Sequence, residues 1–145
     1  MKVFGSRFHS ILIAAAILSM PLGALARTMA FKADLTAASE VPPKDSQGTG
    51  SLTATLDTAT HVFTYHLTYS GLTGPATMAH FHGPAAIGAN AGPEVPIKSL
   101  ESPIDGTATL TPAQEKDLVG GMWYVNVHTA ANKGGEIRGQ VVAAQ

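Results

Sequence analysis

The sequence predicts an all-β fold, a single antiparallel β-sandwich or barrel with one short helix near residues 112–119. After residue 26, apolar residues recur with a period of two, which is typical of strands that bury one face. Segments rich in glycine, proline, aspartate and asparagine separate these runs at short intervals. Only one segment has a helical pattern. Together these observations favour strands that pair with their neighbours and enclose one core.

The first 26 residues predict a secretory signal peptide. Lys2 and Arg7 form a basic start, an apolar run covers residues 11–18, and the small residues 24–26 form an A-x-A cleavage signal. The apolar run is shorter than the roughly 20 residues that a membrane-spanning helix needs. We therefore expect cleavage after Ala26, a domain of residues 27–145, no membrane insertion after cleavage, and an extracytoplasmic location, periplasmic or secreted.

Six alternating segments of the remaining chain predict strands. The clearest is FTYHLTYS, in which Phe63, Tyr65, Leu67 and Tyr69 share one face. The polar residues between them share the other face. The complete set is FKADL (31–35), SLTATLD (51–57), FTYHLTYS (63–70), TATLT (107–111), MWYVNVHT (122–129) and EIRGQVV (136–142).

The segment TPAQEKDLVGG (111–121) predicts the helix. Thr111 is suited to the N-cap, Pro112 to the first helical position, and Gln114 to the reciprocal position of a capping box. Gly120 or Gly121 is expected to end the helix.

Composition excludes several function classes. Residues 27–145 carry seven basic and ten acidic side chains, and no basic patch predicts nucleic acid as a partner. The chain has no cysteine, so it has neither disulfides nor a thiol nucleophile. The motifs G-x-S-x-G and H-E-x-x-H are also missing from the sequence. We therefore predict a protein that is not an enzyme.

The candidate site is the segment AHFHGP (79–84), with His128 near the end of a later strand. His80 and His82 alternate around Phe81, so an extended strand directs both imidazoles to one side. Three imidazoles can supply nitrogen ligands to zinc at about 2.0–2.1 Å, and imidazole also suits copper. His80, His82 and His128 are thus the candidate metal ligands, with His66 a possible fourth.

A purely structural role for these histidines has about equal weight. Strand histidines often donate a hydrogen bond from Nδ1 to a loop carbonyl. His80 and His82 would then hold the loop GPAAIGANAG (83–92), and His128 would hold TAANKGGE (129–136). A pH-responsive patch is a third interpretation. Asn126 would either orient His128 or make an ordinary strand hydrogen bond.

The pair Glu136 and Arg138 has a structural interpretation as well. The two residues lie on one face of the last predicted strand. A pair of this kind favours a clamp across strands or onto a loop over a chemical role.

Four segments in order resemble the CHRD domain, which is named after chordin and also occurs alone in small exported bacterial proteins. They are FKADLTAASEVPP (31–43), AHFHGPA (79–85), YVNVHT (124–129) and GGEIRGQV (134–141). The resemblance implies an extracytoplasmic β-sandwich of Greek-key type and says little about chemistry. In chordin the domain belongs to a secreted regulator of growth-factor signalling.

The histidine pattern is also partly similar to that of Cu,Zn superoxide dismutase, a Greek-key barrel with an H-x-H copper strand. No histidine lies between His82 and His128, however, and no cysteine pair is present. Three hypotheses follow. The first is a non-enzymatic binding module for copper, zinc or an extracytoplasmic protein partner. The second is a metal-dependent redox enzyme of dismutase-like architecture, and the third is a structural or cell-surface interaction domain.

Overall fold

The structure is a computed structural model that describes residues 27–145, so the predicted signal peptide lies outside the described residues. These residues form eight strands, one α-helix and one turn of 3-10 helix. In chain order the elements are β1 (Thr28–Thr36), the 3-10 turn (Ala37–Ser39), β2 (Thr49–Asp57), β3 (Val62–Ser70), β4 (Ala76–His82), β5 (Pro93–Pro96), β6 (Ile104–Thr109), α1 (Pro112–Val119), β7 (Trp123–Thr129) and β8 (Ile137–Ala143).

All eight strands belong to one antiparallel sheet in the order β5-β4-β7-β8-β1-β2-β3-β6. The chain leaves the β1-β2-β3 meander, crosses to β4, and returns after β5 to place β6 beside β3. A second crossing, which includes α1, carries the chain from β6 to β7 beside β4. Crossings of this type are Greek-key connections. The sheet curves into a nearly closed barrel whose edges are β5 and β6, so the predicted all-β fold class is confirmed.

The apolar core fills the inside of the barrel. Phe63 and Phe81 come from strands that are far apart in the sheet order, yet their ring centroids lie 5.2 Å apart at nearly right angles. Trp123 lies against both rings with centroids 6.0 Å away. Edge-to-face aromatic pairs of this kind add roughly 0.5–1.5 kcal/mol each beyond the area they bury. The sheet therefore closes because its two halves share one aromatic cluster.

The predicted helix is confirmed together with its cap. The Thr111 hydroxyl accepts a hydrogen bond from the Gln114 amide N–H, and the Gln114 side chain accepts one from the Thr111 N–H. Leu118 is the buried residue of α1 and joins the core cluster. Gly120 caps the end.

The structure differs from the sequence prediction at several places. The strand predicted at 107–111 begins earlier, at Ile104, because that buried residue pairs with Leu67 and extends the ladder. Residues 93–96 form β5 although their two prolines favour a loop, since an edge strand tolerates proline. The 3-10 turn at 37–39 is also absent from the sequence prediction.

The outward side of β4, β7 and β8 is covered, and this positions the candidate site. Every residue of β7 is buried, including those that point away from the barrel core. The loops at 83–92 and 130–136 cover this side with hydrogen bonds described below. The outward side chains of β4, β7 and β8 are called the covered face from here on.

Candidate metal centre

Three histidines meet on the covered face: strand parity predicts that His80 and His82 lie together, and the strand order adds His128. His80 and His82 come from β4 and His128 comes from β7. One nitrogen from each lies within 4.8 Å of one nitrogen from each of the others. The ring centroid of His80 lies 5.5 Å from that of His82 and 5.4 Å from that of His128, while His82 and His128 are 6.3 Å apart.

The register of β4 and β7 brings these side chains together. His80 is the Cα partner of Asn126, and His82 is the partner of Tyr124. His128 lies two residues beyond Asn126 on the same face of β7. Asn126 therefore has a histidine on its own strand and two on its neighbour.

Two of the imidazoles are fixed by loop carbonyls. Nδ1 of His82 donates to the carbonyl oxygen of Ala91 over 3.0 Å, and Nδ1 of His128 donates to that of Lys133 over 2.9 Å. The loop-holding hydrogen bonds predicted for His82 and His128 are thus present. They do not compete with metal binding, because a proton on Nδ1 leaves the Nε2 lone pair available.

Both Nε2 atoms point at the Asn126 side chain. Nε2 of His82 lies 3.0 Å and Nε2 of His128 lies 2.9 Å from Asn126 Oδ1. When Nδ1 carries the only proton of each ring, lone pairs on two nitrogens and one oxygen converge. A cation between them satisfies all three.

The third imidazole has an unsatisfied polar atom. Nδ1 of His80 is buried and has no hydrogen-bond partner in the part of the chain that the structure describes. A buried polar group without a partner costs about 1–3 kcal/mol, so such a group calls for an explanation. A metal ion would supply the missing partner.

Burial favours the neutral, metal-binding form of two rings. Burial lowers the pKa of His82, and this outweighs the hydrogen bonds with Ala91 and Asn126 that raise it. Burial also lowers the pKa of His80, and positive charge on His128 and His82 lowers it further. Neutral imidazole is the form that coordinates metals.

A buried carboxylate lies behind Asn126. The Asn126 amide donates to Glu40 Oε1 over 3.5 Å, and burial raises the pKa of Glu40, opposed by the nearby Arg138 charge. Gly135 has a φ of 122°, and a Cβ there would strike both the Glu40 carboxylate and the Asn126 amide. Sequence reasoning did not identify Glu40, although it lies in one of the segments that resemble CHRD.

Tyr124 braces His82 from the side. The two rings stack with centroids 4.7 Å apart and an interplanar angle of 1°. The Arg138 guanidinium lies 3.4 Å from the Tyr124 ring centroid. Arg138 also donates to the Ala89 carbonyl over 2.6 Å and to Asn90 Oδ1 over 2.9 Å. These contacts hold the loop at 83–92 over the site.

Glu136 and Arg138 hold different connections and do not pair with each other. The Glu136 carboxylate is fully buried and accepts hydrogen bonds at distances between 2.6 and 3.1 Å. The donors are the hydroxyls of Ser46, Thr73 and Thr129, the Thr73 N–H and the Asn132 amide. Ser46, Thr73 and Asn132 lie in three different connections, and Thr129 is the last residue of β7. The structural interpretation of both residues is therefore supported, with separate partners.

His66 lies elsewhere. It is exposed on β3, and its Nδ1 lies 2.6 Å from Asp105 Oδ1 on β6. The group of ligand atoms within 4.8 Å contains the other three histidines and not His66, so the structure does not bring the possible fourth ligand to the site. His61, which precedes β3, is also outside the cluster, and its Nδ1 lies 2.6 Å from the Glu115 carboxylate.

Comparison with known proteins gives one match. The sequence matches the CHRD domain over residues 31–141. No curated protein and no solved structure matches it. Within residues 27–145, no helix has the length and apolar character needed to cross a membrane. The match includes all four segments that carry the resemblance and extends over most of the chain, so this protein belongs to the CHRD domain family.

Proposed function

We propose that this CHRD protein is an exported, non-enzymatic binding module that holds one copper or zinc ion through His80, His82 and His128. The observation that carries the proposal is the arrangement of their nitrogens. Two rings are oriented by backbone carbonyls so that Nε2 faces inward, and the third ring has a buried nitrogen without a partner.

The dimensions support an ion of this size. With zinc–nitrogen distances of about 2.0–2.1 Å, two nitrogens of a tetrahedral site are about 3.4 Å apart. The three nitrogens here already lie within 4.8 Å of one another. The nitrogens therefore have to approach one another by up to about 1.4 Å to surround an ion.

A redox enzyme is the second candidate, because His80 is only half-buried and its side of the cluster is therefore the more exposed one. A small substrate would reach a bound copper ion from that side. A copper-loaded sample that fails to accelerate superoxide disproportionation would contradict this candidate. The CHRD family is not known for enzymes, which favours the binding module.

Calorimetric titration of residues 27–145, without a histidine tag, tests metal binding. We expect one Cu(II), Cu(I) or Zn(II) ion per chain, and a loss of at least 100-fold in affinity in His80→Ala, His82→Ala and His128→Ala. His66→Ala is the matched control, because its imidazole is exposed on β3 and lies outside the cluster.

The opposite result is equally clear. Folded wild-type protein that binds none of these ions, or binds them equally in the four variants, would remove the metal site. His82 and His128 would then act as loop holders, and an extracytoplasmic protein partner would be the ligand to seek.

A further inference from the structure

We propose that the Met78 thioether is the fourth ligand of this site and makes it selective for Cu(I) over Zn(II). The inference rests on the proposed function and names the ion and the residue that selects it. Met78, His80 and His82 alternate along β4, so all three side chains leave the strand on the covered face. The residues between them, Ala79 and Phe81, point into the core.

The register places Met78 beside two of the histidines. Met78 is the Cα partner of His128 on β7. Side chains directly opposite in an antiparallel pair have Cβ atoms about 4.5–5.5 Å apart. His80 follows two residues later on the same face, roughly 6.6–6.8 Å along the strand. The unbranched methionine side chain, with three rotatable bonds, spans such distances.

Met78 also lies at the open end of the cluster. Its side chain is 45% exposed, whereas His82 and His128 are 9% and 6% exposed. His80 is intermediate. The carbonyls of Ala91 and Lys133 hold the two buried rings from the loop side, whereas Met78 is the exposed residue of this group. A large apolar side chain at this position does not serve the core.

The chemistry of the remaining donors points to the same residue. Within residues 27–145, the group of side chains arranged to hold an ion has three histidines and no carboxylate. The groups left to complete the site are neutral: Asn126 Oδ1, which both Nε2 atoms face, and the Met78 thioether. Thioether sulfur is a soft ligand that favours Cu(I), whereas zinc sites in proteins use thiolate, imidazole and carboxylate. Three imidazoles and one thioether thus distinguish the two ions.

Competition titrations with Cu(I) under anaerobic, reducing conditions, and with Zn(II) in parallel, test the inference. We expect Met78→Leu to weaken Cu(I) binding at least tenfold and to change Zn(II) binding less than twofold. Leucine preserves volume and apolar character, so the fold is expected to persist. Met29→Leu is the matched control, because Met29 is on β1 and packs against the core.

X-ray absorption of the copper-loaded wild-type protein gives a second measurement that needs no variant. The chain has no cysteine, so a sulfur bound to copper in residues 27–145 must come from methionine. We expect a sulfur in the inner coordination sphere, and its disappearance in Met78→Leu.

The outcomes separate this inference from the proposed function. Metal binding that depends on the three histidines, with no copper-bound sulfur and unchanged Cu(I) affinity in Met78→Leu, overturns the thioether ligand and leaves the metal site standing. Wild-type protein without metal affinity overturns both.

Discussion

At the scale of single residues, Glu136 contributes most clearly to stability. Burial raises its pKa, but hydrogen bonds from Ser46, Thr129 and Thr73 outweigh burial and lower the pKa from 4.5 to about 2. A depressed pKa adds stability above the unfolded value, and this stability is lost as pH falls from about 4.5 through about 2. The shift corresponds to roughly 3 kcal/mol. We expect Glu136→Gln to be destabilised by about that amount near neutral pH, measured by denaturant unfolding.

The pH series provides the control for this prediction. The difference between wild type and Glu136→Gln should shrink between pH 4.5 and pH 2, while the exposed Glu101→Gln should follow the wild type throughout. A difference that stays constant over this range would show that the carboxylate charge is not the source of the stability.

Residue-scale chemistry was only partly predictable. Strand parity alone placed His80 and His82 together, because period-two alternation does not depend on the rest of the fold. The role of Asn126 depends on the register between β4 and β7. The role of Glu40 depends on the connection between β1 and β2, which brings its carboxylate to Asn126. The local sequence pattern encodes neither of these arrangements. His66 also lies on the polar face of a strand, as the other three histidines do. Its strand, β3, is far from β4 and β7 in the sheet order, so His66 lies away from them.

At the scale of elements, β8 joins the two halves of the sheet. It lies between β7 and β1, and its ladder with β1 has three paired positions. Gly139 permits the close approach, since a Cβ there would lie 2.5 Å from the Asp34 carbonyl oxygen. We expect Gly139→Ala to cost roughly 1–3 kcal/mol in the free energy of unfolding, because the strands must separate to admit the methyl group.

Gly92→Ala is the control for the contact between β8 and β1. A Cβ at Gly92 meets nothing within 4 Å, so its change should stay within about 0.5 kcal/mol. Equal thermal stabilities of the two variants would show that β8 and β1 adjust freely.

The six predicted strands are all present because their patterns are long, whereas β5 was missed because four residues with two prolines carry no alternation.

At the scale of the whole molecule, the described residues, 27–145, form an eight-stranded sheet around one apolar core. We expect them to keep this fold when the predicted signal peptide is removed. We expect intact-mass measurement of the protein recovered outside the cytoplasm to show Arg27 as the first residue, and residues 27–145 to unfold in one cooperative transition. Recovery of the chain with Met1 still attached would contradict export by cleavage.

The short, proline-containing edge strand β5 affects how readily another copy of the chain can add to the sheet. A free strand edge is a template on which another chain can add, and this is how many β proteins begin to form fibrils. Pro93 and Pro96 remove amide donors from the four-residue β5, so this edge offers little for a second copy to pair with. The β5 edge of the incomplete barrel is therefore a poor template for a second copy, and a chain that adds to this sheet would have to pair with the other edge strand, β6.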